Sequence, residues 1–322
     1  MTLLITEQDI KKILSIKDAI PIIEEAFRLA GEGLTENPPR YRMPFEKGFL
    51  QFGPASLPSK KVLGFKMWAN FGTPLTGTAN FLYSMEDGAL LAIIQAHMIG
   101  TFRTSATSAV AAKYLSRPDA STVGMYGTGK QAWAQLEAVC AVRPIKRAMV
   151  YGRRQEVLKE FCRDMSERLK IDVVPAASPE AVPKGADIVV TITSSETPIL
   201  FGDWLDETCL VIAAGANHWY EREIDEEVIK RAKLIVCDEK EHSKVESGDL
   251  LYPIGRGLLS WNQVEELGNI VAGRGRKVEP EKGIILFESH GLAIEDVAIS
   301  AVAYERAKAA GLGRQIDLWP KD

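Results

Sequence analysis

The chain is poor in the features that mark most specialised protein classes. Its 322 residues hold only four cysteines, Cys140, Cys162, Cys209 and Cys237, set far apart. That spacing fits neither a zinc site nor a small disulfide framework, so they read as buried free thiols of a reducing compartment. The four histidines are scattered without an H-x-x-x-H or comparable pattern, so no metal is expected. No apolar run approaches the roughly 18–20 residues that span a bilayer. The longest, such as 89–94, have strand length, so no membrane partner is expected. Neither sign of charge dominates, since 39 Lys and Arg against 43 Asp and Glu leave a formal charge of -4. A nucleic-acid backbone calls for a basic field that this chain lacks, which argues against such a partner. The opening MTLLITEQDIKK has no basic stretch ahead of an apolar one, so no secretory signal is expected and a cytoplasmic location is.

What is present is an ordinary globular composition, 46% hydrophobic and 25% charged, over a length that suggests about two domains. Residues 1–35 read as helical. Thr6 with Asp9 and Ser15 with Asp18 form capping pairs, the second ahead of a stripe at Ile16, Ala19, Ile20, Ile23, Ala26 and Phe27 that Gly31 and Gly33 end. From Pro38 to Gln95 short runs at 41–45, 62–68, 80–84 and 89–94 alternate with Gly, Pro and Asp clusters, and Glu86-Asp87-Gly88 reads as a hairpin turn. This predicts a mostly antiparallel sheet, followed by a helix of small residues at 97–115. After Arg117-Pro118-Asp119 the pattern changes. Runs rich in Val and Ile at 122–126, 148–151, 187–193, 210–214, 234–238 and 284–287, most of them separated by helical stretches, predict a parallel sheet covered on both faces. The fold class is therefore α/β, a Rossmann-type doubly wound sheet plus a second α+β domain.

The most informative motif is G-x-G-x-x-A at Gly127, Gly129 and Ala132, directly after the run 122–126 and opening a helix through Trp133, Leu136 and Val139. Gly127 permits the tight turn, Gly129 lets backbone approach a pyrophosphate, and Ala132 allows close helix–strand packing. Thr128, Lys130 and Gln131 belong to the same phosphate-facing turn, and the helix start offers free N–H groups to the anion. The next run ends Val150-Tyr151-Gly152-Arg153-Arg154. An NAD site normally carries an acid there for the ribose 2′-hydroxyl, whereas Arg153 and Arg154 suit a 2′-phosphate. NADP(H) is favoured and NAD(H) stays possible, the competing reading being two arginines at a solvated helix start. Thr193 and Ser194 end a strand at the carboxyl edge of the sheet, where dinucleotides bind and where capping of the next turn would also place them.

These stretches together resemble the ornithine cyclodeaminase and mu-crystallin family. The similarity runs through GFKMWANF, FRTSATSAVAAKYL, GTGKQA, ADIVVTITSSETPILFGDW, GANHWYEREID, ESGDLL and FESHGLAIEDVA. It implies a two-domain subunit of a homodimer, with residues 118–289 as the dinucleotide-binding domain and 1–117 with 290–322 as the substrate and dimerisation domain. It also implies a small imino or amino acid as substrate. Arg103 and Arg40 are the expected carboxylate ligands, with Arg42 competing for the second place. Lys66, alone in an apolar run, is expected to exchange a proton with the substrate nitrogen. Arg103, Thr104, His290 and Leu292 are expected near the cofactor. His218 reads equally as a substrate contact and as a loop histidine.

Asn217 is a departure, because cyclodeaminase and alanine dehydrogenase members of the family carry Asp there. An amide can orient a substrate but takes no proton at neutral pH. The expectation is therefore an NAD(P)H-dependent oxidoreductase acting on C=N, with Lys66 and Asn217 as catalytic candidates. An ornithine or lysine cyclodeaminase and a non-enzymatic NADPH- and ligand-binding protein are the competitors.

Overall fold

The computed structural model describes residues 1–73 and 77–318. The chain divides into two compact units, Met1–Thr104 with Leu292–Asp322, and Ser105–Gly291. The first division falls inside the helix His97–Leu115 rather than at Arg117-Pro118. The physical reason is composition: Ala106, Thr107, Ser108, Ala109 and Val110 are fully buried, so this half of the helix is core of the second unit.

In the first unit a seven-stranded sheet runs, from edge to edge, Arg314–Ile316, Thr2–Ile5, Leu90–Gln95, Thr78–Ser84, Val62–Asn70, Gly48–Leu57 and Tyr41–Phe45. All neighbours are antiparallel except Thr2–Ile5 with Leu90–Gln95. Thr2–Ile5 corrects the all-helical reading of residues 1–35, because its apolar side chains are needed inside the sheet. The capping pairs form as expected: Thr6 and Asp9 box the helix Glu7–Ile13, and Ser15 and Asp18 box Ile16–Gly31. The strand Gly48–Leu57 was not anticipated, its alternation being hidden by Gly53 and Pro54. One sheet face is covered. Asn80 Nδ2 donates to Ser300 Oγ at 2.9 Å, which fixes the helix Ala293–Ala309 in register over that face.

The second unit has an eight-stranded sheet in the order Val264–Glu266, Ala232–Cys237, Ile284–Glu288, Cys209–Ala213, Ile188–Thr191, Thr122–Tyr126, Arg147–Tyr151 and Asp172–Pro175, every neighbour parallel. Strand order reverses on either side of Thr122–Tyr126, which makes its carboxyl end the topological switch point of a doubly wound sheet. The central strands are buried along their whole length, as a sheet covered on both faces demands. Among the described residues no helix is long and apolar enough to cross a membrane, and the four cysteines are free.

Candidate active site

In the first unit the chemistry gathers around Lys66. Its strand pairs Lys66 with Gly53 on one side and Asn80 on the other, so all three point to the face under the helix Ala293–Ala309. Gly53 is small for a reason: a Cβ there would stand 3.1 Å from Arg40 Cβ and 3.3 Å from Ala293 Cβ. The missing side chain thus lets the segment carrying Arg40 pass directly beside Lys66. Gly100 does the same from the helix His97–Leu115, where a Cβ would lie 3.3 Å from Lys66 Nζ.

Lys66 is 16% exposed and donates from Nζ to Asp296 Oδ1 at 3.1 Å. Arg103, one turn after Gly100, donates from Nη1 to the fully buried Glu295 Oε2 at 3.0 Å, and its Nε lies 3.6 Å from Asp296 Oδ2. The need of Arg103 for a partner among its small, uncharged helix neighbours is met by the acidic pair Glu295-Asp296. Burial pushes the Lys66 ammonium below the usual lysine range; Asp296 pulls it back up, and Arg103 and Arg40 push it down. Such a cluster can hold a carboxylate and release a proton from the lysine. Arg42 lies two residues further along the same face by register, donating from Nε to Gln51 Oε1 at 2.9 Å with its guanidinium over the Phe49 ring.

In the second unit the strand Thr122–Tyr126 delivers the glycine turn. Gly127 has φ +114°, and a Cβ there would collide with the Ile192 carbonyl. Gly129 has nothing within 4 Å of where a Cβ would be, so its backbone is open to close approach. The helix Ala132–Val142 begins just beyond, with Ala132 fully buried. Gln131 holds a buried Oε1 that has no hydrogen-bond partner among the described residues, while Lys130 is exposed. Gly152 completes the cradle, since a Cβ there would press on the Thr128 side chain at 3.1 Å. Arg153 and Arg154 are both exposed at the entry to the helix Gln155–Leu169. An open glycine turn and a helix start with free backbone N–H groups fit a dinucleotide pyrophosphate.

Glu223, a residue that sequence reading passed over, organises the neighbouring strand ends. Its fully buried carboxylate accepts from Thr191 Oγ1 at 2.7 Å, Thr193 N at 2.6 Å, Thr193 Oγ1 at 2.7 Å and Gly215 N at 2.8 Å. Burial pushes its carboxyl up, and these donors pull it back. Ser194 beside it is exposed. The segment after Gly215 is held in turn: Glu221 Oε2 accepts from Asn217 N at 3.0 Å and lies 3.3 Å from His218 Nδ1. Asp249 Oδ1 accepts from the backbone of Glu223 and Ile224.

His290 differs from expectation in what its ring does. The ring is wholly buried, 3.1 Å from Glu288 through Nε2 and 3.4 Å from Asp238 through Nδ1, with Ser243 Oγ at 2.9 Å from Nε2. It pins the end of the strand Ile284–Glu288, and the backbone N–H groups of His290 and Gly291 donate to Asp238 Oδ2 at 2.9 and 2.7 Å. Leu292 is buried at the start of the helix Ala293–Ala309, and Thr104 Oγ1 donates to the Gly100 carbonyl at 2.8 Å. Sequence reading missed Asp296, Glu295 and Glu223 as site residues. The signal for the first two was present, as an acidic pair directly ahead of the small and apolar stretch 297–303 of the same helix.

A doubly wound parallel sheet with an open glycine turn at its switch point defines an α/β protein of the dinucleotide-binding class. The model of the ornithine cyclodeaminase/mu-crystallin family matches residues 1–311, and the chain belongs to that family. An alanine dehydrogenase of Archaeoglobus fulgidus is 33% identical over 323 residues, covering 98% of each chain. The structure of Thermococcus litoralis Δ1-pyrroline-2-carboxylate reductase in complex with NADH and L-proline is similar with a TM-score of 0.93 at 34% identity, over 98% of this chain and 100% of that one. An archaeal alanine dehydrogenase dimer with bound NAD is similar with a TM-score of 0.92 at 33% identity, over 99% of each chain.

Proposed function

We propose that this chain is an NAD(P)H-dependent oxidoreductase that reduces the C=N bond of an α-imino acid or, in reverse, oxidises the corresponding amino acid. The observation that carries the reading is Lys66, a buried lysine set beside Arg103 and Arg40. The named activities of the similar proteins, alanine dehydrogenase and pyrroline-2-carboxylate reductase, support it. Arg103 and Arg40 bind the substrate carboxylate, and Lys66 gives a proton to the imine nitrogen. Lys66 with Arg103 and Arg40, three cations against Glu295 and Asp296, leaves one net positive charge, which matches a substrate with a single carboxylate. Bound nicotinamide supplies the hydride. Asn217, which takes no proton, and His218 orient the substrate rather than transfer protons.

The cofactor rests its pyrophosphate on Gly127, Thr128, Gly129, Lys130 and Gln131, with Thr193 and Ser194 at the adjoining strand end. We favour NADP(H) because Gly152 removes the competing carboxylate and two exposed arginines stand where a 2′-phosphate would need them. The similar structures that hold NAD or NADH make NAD(H) the alternative.

The working form we propose is a homodimer in the cytoplasm. The free cysteines suit a reducing compartment. The outer face of the first sheet carries Tyr41, Met43, Phe45, Phe52, Leu63 and Met67, all exposed, with Phe45 at 50% and Tyr41 at 55%. An apolar sheet face of this extent on a soluble subunit calls for a second copy. The similar alanine dehydrogenase is a dimer.

The test is oxidation of NADPH and NADH by the purified protein with a panel of cyclic and acyclic α-imino acids. Imine-dependent oxidation, faster with NADPH, is the expected result. Ammonia release from ornithine without net cofactor turnover would replace this reading with a cyclodeaminase, and tight NADPH binding without turnover on any imine would replace it with a binding protein.

A further inference from the structure

The carboxylate behind Lys66 enters the reading above only as a charge. Asp296 is 230 residues downstream of Lys66 and its side chain is only 4% exposed. An ionised carboxylate that deep costs several kcal/mol in lost hydration unless its oxygens are used. Both are engaged with cations: Oδ1 accepts from Lys66 Nζ at 3.1 Å and Oδ2 faces Arg103 Nε at 3.6 Å. Its neighbour Glu295 is given over to Arg103. Asp296 is also the one hydrogen-bond partner of Lys66 among the described residues. An ammonium carries three donors, so two are left for other acceptors.

The surroundings limit where those two donors go. Gly100 presents bare backbone to Nζ, and the register partners Gly53 and Asn80 flank the lysine within the sheet. Asn80 is bonded to Ser300 and, at 3.5 Å, to the carbonyl of Asp296 itself, which holds the aspartate's own turn of helix in place. The charged groups bearing on Lys66 are Asp296 from the helix Ala293–Ala309, Arg103 from the helix His97–Leu115, and Arg40 from the segment before Tyr41–Phe45. Burial and both arginines disfavour its ammonium form, and Asp296 alone among these favours it.

We propose that Asp296 is the positioning residue of the reaction, holding Lys66 Nζ in place and in its protonated form while Oδ2 steadies Arg103 beside it. The identity of the proton acceptor rests on the imine-reduction reading; the Lys66–Asp296 link does not. In the step itself an N–H bond of the Lys66 ammonium breaks and an N–H bond forms on the imine nitrogen, using the π pair of C=N. The hydride pair forms the new C–H bond, so the imine is reduced and NAD(P)H is oxidised by two electrons. Lys66 is left neutral and regains its proton from solvent. Asp296 remains a carboxylate throughout.

Asp296→Asn removes the charge while keeping the volume. Competitive acetylation of Lys66 with acetic anhydride across pH, read by peptide mass spectrometry, follows the lysine's protonation without any turnover. The expected result is that Lys66 becomes reactive at lower pH in D296N than in the parent. Its kcat should fall about tenfold or more, the alkaline limb of its rate profile should move the same way, and cofactor affinity should be unchanged. Glu295→Gln, an equally buried carboxylate on the same helix, is expected to raise substrate KM and leave Lys66 labelling where it was. Should D296N not fold, Asp296→Glu retains the charge but displaces Nζ, and is expected to preserve the labelling profile while lowering kcat several-fold. An identical Lys66 labelling profile in parent and D296N, an activity loss with an unmoved pH profile, or full kcat in D296E would overturn the proposal. A parent protein inactive on every imine would defeat the functional reading, while the labelling would still decide the Lys66–Asp296 link.

Discussion

Gly100 and Lys66 are packed so closely that a Cβ on residue 100 would stand 3.3 Å from the lysine Nζ. That distance is tight but not forbidden, and the lysine tip is the part able to give way. Helical propensity favours Ala over Gly by about 1 kcal/mol. Gly100→Ala is therefore expected to leave thermal stability equal or higher. A shift of a few tenths of an ångström in Nζ should still lower kcat by roughly three- to tenfold. Unfolding scans beside steady-state kinetics check both halves, and a loss of activity accompanied by a loss of stability would contradict the packing argument.

Lys66→Met retains the apolar stem of the side chain and removes the proton donor. General acid catalysis contributes about 10²- to 10⁴-fold, so kcat for imine reduction should fall by at least about a hundredfold. The glycine turn belongs to the other compact unit, so fluorescence titration should give an unchanged Kd for NADPH.

Arg153 and Arg154 are exposed, and a hydrogen bond to a charged group is worth about 1.5–3 kcal/mol. Replacing both by Ala should raise KM for NADPH by about tenfold or more and leave KM for NADH nearly unchanged. Equal losses for the two cofactors would assign the arginines to the surface.

The buried His290 makes stability depend on alkaline pH. Burial alone would push its imidazole down, but Glu288 and Asp238 overcome this and raise it from 6.5 to about 10. A raised folded-state value favours the charged form. Its contribution is complete below about pH 6.5, declines as pH rises, and is gone above about pH 10. The thermal midpoint of the protein should fall across that window. His290→Asn should lower the midpoint at pH 6.5 and flatten the slope, as differential scanning calorimetry would read.

Local chemistry was the legible part of this chain. The capping pairs Thr6/Asp9 and Ser15/Asp18, the turn at Gly88 and the motif Gly127–Gly129 each act within a few residues, so their physics is written in adjacent letters. Lys66 and Arg103 were visible as charges out of place in apolar or small-residue surroundings. Their partners were not, because Glu295 and Asp296 meet them only after a chain return of about 200 residues that no spacing rule encodes. Glu223 escaped notice for a related reason: a glutamate in a loop reads as solvated until the fold brings Thr191, Thr193 and Gly215 around it. The strand Thr2–Ile5 was hidden by the capped helix that follows it at once.

Transfer of deuterium from C4-labelled NAD(P)D to the α-carbon of an imino acid, followed by mass spectrometry, tests the central claim most directly. The account predicts one deuterium at that carbon with the parent protein and a rate at least about a hundredfold lower with Lys66→Met. Product free of label, or equal labelling rates in both proteins, would contradict it.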